Sequence, residues 1–285
     1  MDFSILEGPN GKTLRVDGPW TVDAAAAALD PGVTGVILAD WDGPPVDHES
    51  LVGLPIDSVS IADRRITELE PLVHLGRPLR SLVLYTGPDT IVDLAWFPDL
   101  EVLHADWQTV ESWSDRPEGL RDLYVFGFDA PSFEYLGANP MLESLRLDRS
   151  LLETLHTGSL LPSLRSLWIP GSKRLATLEG LRDTSSPIEE LNMNWSSRIE
   201  RLDGIEACTH LEQIEFADCA SIESLRPLMN LPKLRRIRAH GTTRIQDLDL
   251  SPLLALRDVT ELHLQHRAGY TPSVEDVETY FGVPT

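Results

Sequence analysis

The chain of 285 residues holds two cysteines, Cys208 and Cys219. That is too few for a disulfide framework or a four-cysteine zinc site. Its longest apolar run, Ala24 to Leu29, is far short of the ~20 residues that span a bilayer. The opening Met1-Asp2-Phe3-Ser4 carries no basic leader. These absences predict a soluble, cytoplasmic protein with no membrane attachment. Positive charge is also scarce: 24 Lys and Arg stand against 45 Asp and Glu, a formal charge of −21. Such a field repels phosphate backbones and anionic lipids, so nucleic acid and membrane are not the expected partners. A basic protein is the expected partner, with plain solubility as the alternative reason for the charge. The Gly-rich phosphate loop, the Gly-x-Ser-x-Gly elbow and the His-Glu-x-x-His helix are all missing. No catalytic residue, cofactor or metal site is therefore assigned. His240, His263 and His266 with Glu261 could bring two metal ligands together, but no spacing dictates a third.

Leucine is present in excess, at 45 positions, and it is periodic. The pattern apolar-x-x-apolar-x-apolar appears as Leu79-Leu82-Leu84, Leu142-Leu145-Leu147, Leu164-Leu167-Ile169, Ile188-Leu191-Met193 and Leu211-Ile214-Phe216. Weaker copies begin at Val33, Ile56, Leu100, Leu120, Leu234 and Val259, so the starts lie 20 to 25 residues apart. Ile222, Leu225, Leu228 and Leu231 continue the unit at its positions 12, 15, 18 and 21. Proline stands shortly before eight of the starts, from Pro55 to Pro232, where it sets an extended entry without losing a needed hydrogen bond. Positions 4 and 6 point to one side of a short strand. A single strand and its return cannot bury that side alone; stacked neighbours must.

The unit beginning Leu211-x-x-Ile214-x-Phe216-x-x-Cys219 resembles the leucine-rich repeat family in its short class of about 22 residues, as in internalins and phosphatase regulators. The resemblance covers roughly residues 33 to 270. It implies an α/β solenoid, curved like a horseshoe, with about eleven parallel short strands and 3₁₀, short-helix or extended returns. At position 9 the family favours Asn. Ser150, Ser172, Ser196, Cys219 and Thr242 are the expected substitutes, whereas Trp41, Arg64, Gly87, Phe128 and Arg267 predict irregular turns. A single domain is expected over 1–285, with an N-terminal cap at 1–32, repeats over 33–270 and a C-terminal cap at 271–285. The N-terminal cap reads as a hairpin around Asn10-Gly11 followed by a helix over Thr21 to Leu29. The C-terminal cap reads as a helix from Ser273 to about Phe281.

The resemblance also implies that unit positions 3, 5, 7 and 8 line a concave face. Of these 44 positions six are aromatic, Tyr85, Trp107, Tyr124, Phe126, Trp168 and Trp195, twice the frequency in the whole chain. Exposed aromatics at that density are a binding signature, unless they turn aside and pack on neighbours. The same positions hold nine acids, Asp40, Asp63, Asp106, Asp122, Asp148, Glu190, Glu215, Asp218 and Glu261, against four arginines, Arg146, Arg149, Arg236 and Arg238. The candidate protein-binding residues are Tyr85, His104, Asp106, Trp107, Tyr124, Phe126, Arg146, Asp148, Trp168, Asn192, Trp195 and Glu215. The expected function is a monomeric, non-catalytic module that binds a basic protein, as an inhibitor or immunity-type protein. An adaptor or regulatory subunit is the alternative, followed by a self-associating structural protein or an enzyme with a site on that face. Both cysteines fall at interior positions of the unit and are expected to be buried and unreactive.

Overall fold

The computed structural model describes residues 3–8, 11–39, 42–110, 112–219 and 221–283, and the side chain of Ser114 is not among the described features. Asn10, Asp40 and Trp41 lie outside these residues. The chain divides into two compact units, residues 1–124 and 125–285.

In the first unit, β1 (Phe3–Gly8) and β2 (Gly11–Val16) form an antiparallel pair with Gly8 opposite Gly11. Helix α1 (Val22–Ala28) follows, with the Thr21 side chain accepting from the Ala24 amide as an N-cap. Strands β3 (Val33–Ala39), β4 (Ser58–Ala62), β5 (Ser81–Leu84) and β6 (Val102–Asp106) then continue the sheet in parallel, β3 beside β2. Position 4 meets position 4 throughout: Val36 faces Val59, Val59 faces Leu82, and Leu82 faces Leu103. The sequence period therefore sets the register. A slip by one residue would turn every one of these side chains from core to solvent.

Strand β7 (Asp122–Phe126) crosses the boundary between the units. In the second unit β8 (Ser144–Asp148), β9 (Ser166–Trp168), β10 (Glu190–Asn192), β11 (Gln213–Glu215), β13 (Arg236–Ala239) and β15 (Glu261–Leu264) lie parallel in that order. The short strands β12 (Ser221–Ile222) and β14 (Arg244–Ile245) pair separately behind them. Among the described residues this makes eleven strands at the eleven unit starts, β3 to β11 with β13 and β15. Most returns contain a 3₁₀ turn, such as Glu179–Asp183 and Arg226–Asn230, because about 22 residues leave too little chain for long helices. Among the described residues the return between β8 and β9 has none. Positions 12, 15, 18 and 21 all point inward: Ile222, Leu225 and Leu228 have no exposed surface and Leu231 almost none. Helix α2 (Val274–Phe281) closes this end with a capping box between Ser273 and Asp276.

Position 9 forms a hydrogen-bonded ladder through the core of the second unit. Ser150 Oγ and Ser172 Oγ are 2.7 Å apart, Ser196 Oγ accepts from the Ser172 amide, and the Cys219 amide donates to Thr243 Oγ1 at 3.0 Å. Thr242, expected in this ladder, is exposed; its neighbour Thr243 is buried and donates to the Phe216 carbonyl. The cause is one additional residue between the left-handed Gly241 and the buried hydroxyl, where other units have none. Phe128, a predicted irregularity, fills its position by volume and has no exposed surface. Arg267 reaches back instead, donating to the carbonyls of Thr243 and Gly241.

Both thiols are buried. Desolvation pushes the Cys208 thiol up to about 12 and the Cys219 thiol up to about 11. The Cys219 thiol also donates a hydrogen bond to the Met193 carbonyl, with Sγ 3.1 Å from the oxygen. Since the thiolate is the nucleophile, iodoacetamide at pH 8 is expected to label neither cysteine before denaturant is added. Mass spectrometry showing prompt modification of Cys208 in the native protein would refute its core placement.

His48 is a buried titratable group in the first unit. Its Nδ1 lies 2.8 Å from the Glu68 carbonyl, and its Nε2 has no hydrogen-bond partner among the described residues. Burial lowers its pKa, against smaller opposing effects from the Glu68 carbonyl, Asp47 and Asp63. The unfolded chain therefore takes up a proton near the ordinary pKa of about 6.5, while the folded chain does so only at lower pH. Its effect on stability is constant above that pH and turns unfavourable as pH falls below it. Urea midpoints measured from pH 8 to pH 5 should decline less steeply in His48→Gln than in the wild type; equal slopes would exclude this origin.

Candidate functional site

The strand face opposite the core carries the candidate residues, and each unit presents its own set. In the first unit, Tyr85 follows β5 and is 52% exposed, while its amide donates to the Ile61 carbonyl. On β6, the His104 ring meets Tyr124 edge to face with centroids 5.5 Å apart, and His104 Nε2 is 3.3 Å from Asp122 Oδ1. The Asp122 carboxylate thus favours one His104 ring position, which supports the tyrosine. Trp107 does not project freely: it stacks on Trp113 at 4.9 Å, and Trp113 Nε1 donates to the Trp107 carbonyl. Asp106 sits between these features, and its partial burial raises its carboxyl pKa.

In the second unit, Arg146 donates from Nε and Nη2 to both oxygens of Asp148, at 2.8 and 2.9 Å. The same guanidinium lies 5.4 Å from the centre of the Trp168 ring. A bidentate pair fixes the plane of Arg146, and that plane in turn supports the tryptophan. Asn192 and Glu215 are buried rather than displayed: the Asn192 side chain donates to the Glu215 carboxylate, which also accepts from Arg238 at 3.0 Å. Arg238 reaches Glu261 as well, at 2.6 Å. Several of the acids counted on this face are therefore bound to arginines of the same face.

Position 8 holds a feature that hydrophobic patterning does not reveal. Gly127, Arg149, Gly171, Trp195, Asp218 and Gly241 occupy it in six consecutive units, and all six have positive φ, from 51° to 69°. The chain turns out of the strand there through the left-handed region, which costs a residue with a Cβ roughly 1–2 kcal/mol. The signal in the sequence is glycine in three of these six units of one column, Gly127, Gly171 and Gly241. Arg149 and Trp195 stand on either side of Gly171, and the absent side chain leaves a groove of about 580 Å³ lined by Phe126, Asp148, Arg149, Pro170, Gly171, Lys173 and Trp195. Trp195 is 61% and Phe126 37% exposed, and the Arg149 guanidinium lies 5.4 Å from the Phe126 ring centre. Of the candidates, Phe126, Asp148 and Trp195 are brought together here. Lys173, Pro170 and Gly171 were not anticipated, nor was Trp113. Among the described residues no three His, Cys, Asp or Glu side chains could hold a metal ion, and His266 instead lies 3.6 Å from Glu278.

The structure is similar to that of an internalin, InlF, from Listeria monocytogenes, with a TM-score of 0.54 over 85% of this chain and 69% of that one, at 15% identity. The fold is the leucine-rich repeat. A looser likeness links it to TLR13 in a complex with single-stranded RNA, with a TM-score of 0.47 over 83% of this chain and 40% of that one, at 17% identity. In sequence, the chain is 24% identical over 202 residues to the disease resistance protein RPP4 of Arabidopsis thaliana, which covers 67% of this chain. The chain spans 18% of that protein's length. No family model matches. The leucine-rich repeat accounts for the strand register, the 3₁₀ returns and the ladder at position 9. Among the described residues no helix is long and apolar enough to cross a membrane.

Proposed function

We propose that this leucine-rich repeat chain is a non-catalytic module that binds a protein partner of basic character on its strand faces, as a masking inhibitor. The observation that carries the reading is the support given to aromatic rings on those faces. Tyr124 rests against His104, and Trp168 lies beside an Arg146 held by Asp148. Rings held in place lose little freedom on binding, which is what anchors of a protein interface require. The net acidity of the candidate face favours a cationic partner and would steer its approach.

The reading is tested by affinity capture with the wild type and, in parallel, with Tyr124→Ala and Trp168→Ala. A basic protein retained by the wild type and lost from either variant supports it. A partner retained equally by all three would place binding elsewhere, and an acidic partner would overturn the electrostatic part.

A further inference from the structure

Among the described residues, the arginines on the second unit's strand face are engaged by carboxylates, with one exception. Arg146 holds Asp148, Arg238 holds Glu215 and Glu261, and Arg236 lies 3.7 Å from Glu190. Arg149 is the exception: it is exposed, lies over Phe126, and makes no ion pair among the described residues. Lys173, one of three lysines in the chain, lines the same groove, is exposed and likewise makes no ion pair among them. In a chain of charge −21, two cations without a carboxylate share one groove with two exposed aromatic rings. Asp148, the acid in the lining, is already neutralised by Arg146.

The backbone fixes this arrangement. Arg149 and Trp195 leave the chain from left-handed positions, at φ 55° and 59°, and Gly171 between them provides the gap. A Cβ added at Gly171 would lie 3.6 Å from the Arg149 side chain, so any larger residue would crowd the space between the two walls. Backbone strain retained beside exposed, unpaired side chains is a common property of binding sites. The volume is within the ~300–1,000 Å³ typical of ligand sites. The lining side chains offer two aromatic rings and two cations, the complement of an aromatic side chain flanked by carboxylates. The overall negative charge acts at longer range and is weakened by salt, with a Debye length of ~8 Å at physiological ionic strength, whereas the two cations act at contact inside the groove.

We propose that the groove over Gly171 docks an acidic segment of a protein partner, with an aromatic side chain between Phe126 and Trp195 and carboxylates on Arg149 and Lys173. The proposal rests on the protein-binding reading and adds to it a second, oppositely charged contact. A partner that is basic where it meets the strand faces would then carry an acidic, aromatic stretch for this groove.

The test uses the full chain and NMR detection of the Trp195 indole N–H, assigned by its loss in Trp195→Phe. The probes are the blocked peptides Glu-Glu-Phe-Glu-Glu, Lys-Lys-Phe-Lys-Lys and Glu-Glu-Ala-Glu-Glu, with AMP as a nucleotide control. The acidic phenylalanine peptide should shift the resonance saturably, and the other three should not do so over the same concentration range. Arg149→Glu with Lys173→Glu should weaken that binding about tenfold or more while the remaining spectrum stays in place. Equal shifts from the lysine peptide, stronger binding of AMP, or no loss on charge reversal would each overturn the proposal. Failure of the strand-face reading is seen separately: capture by Tyr124→Ala and Trp168→Ala would be undiminished while the peptide titration still saturates.

Discussion

Leu191→Ala is expected to destabilise the protein by ~2–5 kcal/mol, read as a lower urea midpoint with circular dichroism. Leu191 is 1% exposed on β10, in register with Leu167 on one side and Ile214 on the other. Truncation removes methyl groups that contact both neighbours, and the strands cannot close over the space without shifting the register of the others. In a stacked fold each repeat is stabilised mainly by those beside it, so the loss is also expected to speed amide exchange in β9 and β11. A change under about 0.5 kcal/mol, the scale of a surface substitution, would mean that Leu191 does not face the core.

Trp168→Ala is expected to weaken capture of the partner by ~2 kcal/mol or more, and Tyr124→Ala by a comparable amount, mostly through faster dissociation. Surface plasmon resonance with the captured protein separates the rates. Neutralising Asp148 should act differently, because the carboxylate orients Arg146 as well as contributing charge. Asp148→Asn should slow association at low salt and also raise the dissociation rate, as Arg146 loses the partner that holds it near Trp168. Glu223→Gln, on the side of the returns, should change neither rate. Unaltered rates for a folded Trp168→Ala would exclude the ring as an anchor.

The fold was legible because burial is one-sided and periodic. Leu82, Leu145, Leu191 and Ile214 all occupy position 4, and each strand forms where that spacing places it. Cap helices were equally plain from Thr21 and Ser273. Thr242 was misplaced because a fixed count of positions cannot register one additional residue after Gly241; only the turn geometry shows it. The candidate site was read less fully. A residue's place in the unit says which face it leaves from, but not what it meets there. Position alone predicts display for Trp107, Asn192 and Glu215, whereas Trp107 stacks on Trp113, and Asn192 and Glu215 bury one another. The groove was not read because it depends on Gly171, a residue with no side chain, and on backbone angles that no hydrophobic pattern encodes.

The left-handed column also bears on how this protein could be redesigned. Glycine is the residue that position 8 favours on conformational grounds, and an engineer seeking a more heat-resistant chain would install it at 149 and 195, sparing Asp218, whose carboxylate accepts from the Thr242 amide. Each exchange would relax the backbone by roughly 1 kcal/mol. The same exchanges would remove the Arg149 guanidinium and the Trp195 ring from the groove and leave Phe126 as its one aromatic ring, with less to distinguish one partner from another. At Arg149 and Trp195, durability and discrimination compete for the same dihedral angle.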